Sequence, residues 1–211
     1  SYESIIIEDD MDYETALAIQ IEAADLPGIS IQRGSKRLYL QASSTDQVSE
    51  EKPASISHVL GYEGKLTRAE LDALYSEGYL PSDDIGKTGV EKVYESVLRG
   101  TYGRRRTEVD AVGRLQAILA EEAPQPGHHL RLTIDIEMQR MLEEAMLREM
   151  DIAGKRKGAG IVMDVHTGDI LALVSLPSFD NNDFSGGIDL ETYTGYTSDT
   201  ANPLLNRTIA G

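Results

Sequence analysis

Residues 121–127 read Glu-Glu-Ala-Pro-Gln-Pro-Gly, and no helix or strand can run unbroken through them. Each proline removes a backbone donor, fixes φ and pushes the residue before it out of the helical region. The adjoining glycine loosens the chain again. A chain of 211 residues interrupted here divides in two, and the sequence changes character across the break. An α+β architecture with a boundary between residues 126 and 127 is expected.

Before the break the elements are short. Asp12 is placed to cap a helix carrying Ala16, Ile19 and Ala23, and Leu26-Pro27-Gly28 stops it. Ile29 and Ile31, then Leu38 and Leu40, alternate with polar residues, and Gly34-Ser35 between them fits a two-residue hairpin turn. Residues 41–53 are polar and aperiodic, and read as a loop. Two capping-box patterns come next. Thr67 with Glu70 opens a helix expected to bury Leu71 and Leu74 and to end near Gly78. Thr88 with Glu91 opens another, with Val90, Val93, Tyr94 and Val97 on one face. Gly100 stands where a left-handed cap is expected, and 107–119 reads as extended.

After the break the pattern lengthens. Leu130, Leu132 and Ile134 alternate as a strand. Asp135 caps a helix carrying Met138, Met141, Leu142 and Ala145, which fades by Gly154, and Lys155-Arg156-Lys157 is a solvated turn. Ile161-Val162-Met163 and the run Ile170 to Val174 flank Asp164-Val165-His166-Thr167-Gly168. Near-continuous apolar strands of this kind are expected of a hairpin covered on both faces.

Charge and composition exclude several functions. The formal charge is −16, from 36 acidic against 20 basic residues. Such a surface repels phosphate backbones and anionic lipid, so nucleic acid is not an expected partner. With no cysteine, thiol catalysis and cysteine-ligated zinc are excluded. No apolar run reaches the ~20 residues that span a bilayer, and no signal peptide opens the chain. A membrane link is expected only through an anchor outside this sequence.

Several motifs imitate catalytic chemistry. Ser49-Glu50-Glu51-Lys52 has the S-x-x-K spacing of an acyl-enzyme nucleophile, and Lys87-Thr88-Gly89 matches the K-T-G that accompanies it. A working serine–lysine pair needs a dehydrated lysine one helical turn after the serine. Ser49 lies in an acidic loop, and Lys87-Thr88-Gly89 begins a helix rather than a strand, so both are read as coincidences. Gly86-Lys87-Thr88 lacks the upstream glycine of a phosphate loop, where Pro81 stands. His128-His129 with Asp135 is a weak metal pattern, since neighbours in a strand point to opposite faces. His58 and His166 are isolated, and read as packing or turn residues.

Several segments, taken in order, resemble class B penicillin-binding proteins, the peptidoglycan transpeptidases of bacterial cell walls. Arg37-Leu38-Tyr39-Leu40 is similar to the family's R-x-Y-P, with Leu40 for proline, and His58-Val59-Leu60-Gly61-Tyr62 to its H-x-x-G-Y. Gly86 to Glu95, continuing through Leu98, Gly100 and Gly103, resembles G-x-x-G-[LV]-E-x-x-Y-[DE]…L-x-G-x-x-G. Val109-Asp110 and Gly113-Arg114 match the family's residues next in order. Leu132 to Asp135 with Gln139, then Asp164 to Ala172, resemble the opening of the transpeptidase domain, with Val165 for a usual proline. Pro177 to Phe184 and Asn206-Arg207 also match, with Asn181 for another proline.

The resemblance implies a pedestal or dimerisation domain over 1–126, built of short helices and antiparallel strands. The first helix and β-hairpin of a truncated transpeptidase domain would occupy 127–211. The family's R-G-x-I-x-D-R-N-G segment and its S-x-x-K, S-x-N and K-[ST]-G motifs are not found at their expected places, so no catalytic residue, metal or cofactor is expected in this chain. The implied structural residues are Arg37, His58, Gly61, Gly86, Gly89, Glu91, Tyr94, Gly100, Gly103, Asp110 and Asn206, with Arg37 the candidate partner of Glu91. The implied role is a non-catalytic support for a parent that cross-links peptidoglycan in cell division or cell-shape maintenance. The parent would sit at the outer face of the bacterial cytoplasmic membrane. Other cell-wall synthesis proteins are the implied partners, and a homodimer is allowed. The competing readings are the outer domain of a β-lactam sensor, and a self-sufficient hydrolase using Ser49 or an acidic pair.

Overall fold

The computed structural model describes residues 7–8, 11–23, 29, 31, 36–39, 55–110 and 115–210. In chain order its elements are helix α1 (Tyr13–Glu22), α2 (Ser57–Leu60), strand β1 (Glu63–Lys65), α3 (Arg68–Leu74), β2 (Asp84–Gly86), α4 (Gly89–Val93) and α5 (Glu95–Leu98). Then come β3 (Arg104–Val109), β4 (Leu115–Glu122), α6 (Ile136–Ile152), β5 (Gly158–Met163), β6 (Ile170–Leu176), α7 (Leu190–Ser198) and α8 (Arg207–Ala210). Among the described residues the strands form three antiparallel pairs, β1–β2, β3–β4 and β5–β6. Short helices with antiparallel strands, then one long helix and a hairpin, are the α+β architecture expected. By packing, the chain forms two compact units, residues 1–36 with 96–129, and residues 37–95 with 130–211.

In the first unit α1 begins where Asp12 accepts a hydrogen bond from the Thr15 N–H at 3.0 Å. Residues 107–119 are not one extended stretch but parts of two strands, β3 and β4, whose register slips after Arg106 and again after Glu108. Each slip is a bulge that bends the ribbon. The proline-rich crossing is tacked down: Thr101 and Gln125 exchange backbone hydrogen bonds at 2.8 and 3.0 Å, and the His128 N–H donates to the Val97 carbonyl at 2.9 Å. Gly100 is therefore needed for close approach, not for the expected left-handed cap. It has no positive φ, and a Cβ there would overlap the Gln125 carbonyl.

In the second unit α6 lies on the β5–β6 hairpin. Ala172, Val174 and Leu176 of β6 are buried together with Phe179 and Phe184. Asp135 caps α6 through the Glu137 and Met138 N–H groups, both at 3.0 Å. Leu130, Leu132 and Ile134 alternate in burial yet form no strand. That stretch is held at its end, where the Asp135 N–H donates to the Leu171 carbonyl at 2.8 Å and the Thr133 hydroxyl to the Ile170 carbonyl at 2.7 Å. The hairpin is not covered on both faces. Gly158 and Gly160 lie against Met146 and Met150 of α6, whereas Ile161 and Met163 are about half exposed. Met141 of α6 also faces solvent.

The Thr67–Glu70 capping box forms, and Gly78 ends the following turn at φ 83°. Leu71 and Leu74 are only half-buried there, and no residue of α3 is fully buried. At Thr88 the expected box does not form, for the N-cap makes no side-chain hydrogen bond. The helix also breaks at Tyr94, so Val93 and Tyr94 are exposed instead of sharing a buried face with Val90 and Val97. Gly34-Ser35, Leu40 and Ser49 lie outside the described residues, and Leu38 and Tyr39 form no strand.

Candidate functional site

The second unit holds its polar core around Arg37. Its Nη2 donates to Glu63 Oε1 at 3.0 Å and to Glu91 Oε2 at 3.1 Å. Nε lies 3.1 Å from Glu91 Oε1, without the alignment of a hydrogen bond. The arginine contact implied for Glu91 is therefore present, and it replaces the capping contact. Glu91 is 7% exposed, and burial holds its carboxyl above the ordinary glutamate range even against the attraction of Arg37. Glu63 is displaced in the same direction for the same reason. Glu95 closes the group, accepting from the Gly86 N–H at 2.9 Å and from the Tyr79 hydroxyl at 3.2 Å.

Side-chain amides tie this region to the residues after 130. Asn182 clasps the backbone of Tyr39, accepting its N–H at 2.9 Å and donating to its carbonyl at 3.0 Å. The Ser185 hydroxyl donates to the Arg37 carbonyl at 2.6 Å. Asn181, buried, donates to the carbonyls of Ser57 and Gly61. Gln139 is fully buried and donates to the carbonyls of Ser55 and Leu173, each at 2.7 Å. His58 Nε2 lies 2.8 Å from the Pro203 carbonyl, so that nitrogen carries the proton, and its ring meets Phe179 edge-on at 5.1 Å. Burial lowers the His58 pKa, as suits a packed neutral imidazole. Asn206 donates to the His58 carbonyl at 3.3 Å.

Glycines allow two segments to cross at the foot of α4. Gly61 has φ 75° and Gly89 φ 59°. A Cβ on Gly61 would fall on the Thr88 carbonyl, and one on Gly89 on the backbone of Leu60 and Gly61. Gly86 packs in the same way on the Glu91 backbone, and in the first unit Gly103 packs on the Glu122 carbonyl.

The structure thus gathers Arg37, His58, Gly61, Gly86, Gly89, Glu91 and Asn206 in one unit. Gly100, Gly103 and Asp110 stand in the other, where Asp110 accepts from Gln116 at 3.4 Å. Tyr94 is the exposed joint between α4 and α5. Gln139, Asn181 and Asn182 lie inside segments that resemble the family, and Ser185 just past one, yet none of the four is among the implied structural residues. The one available signal for the three amides is that placement inside a matching segment. The Lys87 ammonium is held 2.5 Å from Glu70, whose carboxyl that contact and the capping box lower to about 2. Among the described residues no group of three His, Asp or Glu side chains is arranged to hold a metal ion. What these contacts do is fix backbone to backbone.

The family model described as "Penicillin-binding Protein dimerisation domain" matches residues 1–132. The chain is 36% identical over 189 residues to the peptidoglycan D,D-transpeptidase MrdA of Escherichia coli, covering 88% of this chain and 27% of that protein. With the MrdA of Haemophilus influenzae it is 30% identical over 214 residues, covering 100% of this chain and 30% of that protein. The penicillin-binding protein PBP2 of Helicobacter pylori, solved in a complex with MreC, superposes with a TM-score of 0.59 at 34% identity, over 73% of this chain and 27% of that one. The chain belongs to the class B penicillin-binding proteins. It spans less than a third of the length of these relatives.

Proposed function

We propose that this chain is the non-catalytic pedestal and interaction part of a transpeptidase that cross-links peptidoglycan, with residues 1–126 as the pedestal and 127–211 as the opening of the transpeptidase domain. What supports the reading most is the set of amide clasps. They fasten Tyr39, Ser55, Ser57 and Gly61, inside the matched dimerisation domain, to Gln139 of α6 and to Asn181 and Asn182 in the turn after β6. A support must transmit position without yielding, and side-chain amides that hydrogen-bond separate backbone segments together are well suited to that. Arg37, His58, Gly61, Gly86, Gly89, Glu91, Tyr94 and Asn206 would be its structural residues in this unit, and Gly100, Gly103 and Asp110 those in the other. The parent would work at the outer face of the cytoplasmic membrane, through an anchor outside this sequence. Its partners would be cell-wall synthesis proteins of the MreC kind, with a second copy of the chain as an alternative partner.

The test is binding of the purified chain to the soluble part of an MreC-type protein, measured by calorimetry. Saturable binding is expected. Binding by a full-length relative but not by this chain would place the interaction outside it.

A further inference from the structure

We propose that the Arg37–Glu63–Glu91 cluster, in which one guanidinium is shared by carboxylates of a half-buried site, is a pH-sensitive clasp at the two ends of the 37–95 segment, one that contributes more to the stability of the fold as the pH falls. Arg37 is the first residue of that segment in the second unit, and Glu95 is its last. Both belong to one charge group. Arg37 joins Glu63 of β1 to Glu91 of α4, while Glu95 of α5 holds the Gly86 N–H at the end of β2.

The group carries a surplus of negative charge. Arg37 supplies one positive charge to Glu63, Glu91 and Glu95. Asp84 is matched by Lys65 at 3.3 Å, and Lys87 is taken by Glu70, so neither lysine relieves the excess. Tyr39 and Tyr79 face the carboxylates as neutral hydroxyls: the Tyr39 oxygen accepts the Glu63 N–H at 3.0 Å, and the Tyr79 hydroxyl donates to Glu95. Carboxylates that share one guanidinium in a half-buried site cannot all ionise cheaply. Burial accordingly lifts both Glu63 and Glu91 above the ordinary range, even against the attraction of Arg37. For an acid raised in the folded state, the folded chain binds more protons than the unfolded one just above the ordinary glutamate range. This contribution to stability therefore grows as pH falls into that window and fades as pH rises out of it. One proton on Glu63 or Glu91 leaves a single ionised carboxylate in contact with Arg37 and reduces the surplus of the group.

The experiment is denaturant unfolding of the intact chain between pH 8 and pH 5, for the wild type and for Glu63→Gln, which imitates the protonated state. At pH 8 the variant is expected to have an unfolding equilibrium constant several-fold smaller than the wild type, and the two should converge towards pH 5. Carboxyl carbon-13 resonances of Glu63 and Glu91 in the wild type give an independent reading if the variant folds poorly. They should show at least one step above the ordinary glutamate range. Parallel unfolding curves at every pH would overturn the proposal, and so would both resonances titrating within or below that range.

Discussion

The side-chain amide of Gln139 closes both backbone hydrogen bonds of Leu173, donating to its carbonyl and accepting its N–H, each at 2.7 Å. The same amide donates to the Ser55 carbonyl, so one buried side chain satisfies β6 and the segment before α2 together. Gln139→Ala leaves an N–H and two carbonyls without that partner. Each buried, unpaired polar group costs about 1–3 kcal/mol, and a total loss of about 3–5 kcal/mol is expected. The midpoint of urea unfolding, read at constant m, checks it.

Local features are legible in the sequence, and distant ones are not. The caps at Asp12, Thr67 and Asp135 depend on residues two or three positions away, and all three form. The same logic fails at Thr88 because Glu91 prefers Arg37, 54 residues earlier, over its own helix terminus. The alternation at 130–134 looks like a strand, but hydrogen bonds from Thr133 and Asp135 to β6 hold the chain there without a ladder. Gln139, Asn181 and Asn182 act over separations of 34 to 143 residues, which no local pattern encodes. Gly61 and Gly89 stand out as motif members, but their mutual crossing emerges only when the two segments meet.

Losing the cation of the central cluster should hurt more than losing a carboxylate. Arg37→Ala abandons Glu63 and Glu91 together in a partly desolvated site. A fully buried pair broken this way costs roughly 3–5 kcal/mol, and the partial exposure of Arg37 reduces the expectation to about 2 kcal/mol. Glu91→Gln keeps the shape and relieves the charge surplus, so it should cost less than about 1 kcal/mol. The double variant should depart from additivity, because the partners share one interaction. Denaturant unfolding of the three variants checks the ranking.

Two glycines with similar backbones should respond differently to alanine. Gly61 and Gly78 have φ of 75° and 83°, but only Gly61 has a backbone carbonyl where the Cβ would go. Gly78→Ala should cost about 1–2 kcal/mol, the left-handed strain alone. Gly61→Ala adds a clash with Thr88 that must move backbone, and about 4 kcal/mol or failure to fold is expected. Thermal unfolding of both variants separates strain from overlap.

His58 should make the fold weaker in acid. Its folded-state pKa is lowered by burial, so below the ordinary imidazole range the unfolded chain binds the extra proton and stability falls as pH falls. The effect has the opposite sign to that of the Arg37 cluster. His58→Gln should lose this acid-side decline while keeping the other. Stability curves from pH 7.5 to 5.5 for the wild type and the variant isolate the histidine contribution as their difference.

A chain that supports a transpeptidase without performing its chemistry should not react with β-lactams. The most direct test is incubation of the purified 211-residue chain with a fluorescent penicillin, followed by denaturing electrophoresis and mass spectrometry. No labelled band is expected, with a full-length class B relative labelled in parallel. A stoichiometric covalent adduct on this chain, at Ser49 of its S-x-x-K match or elsewhere, would contradict that expectation.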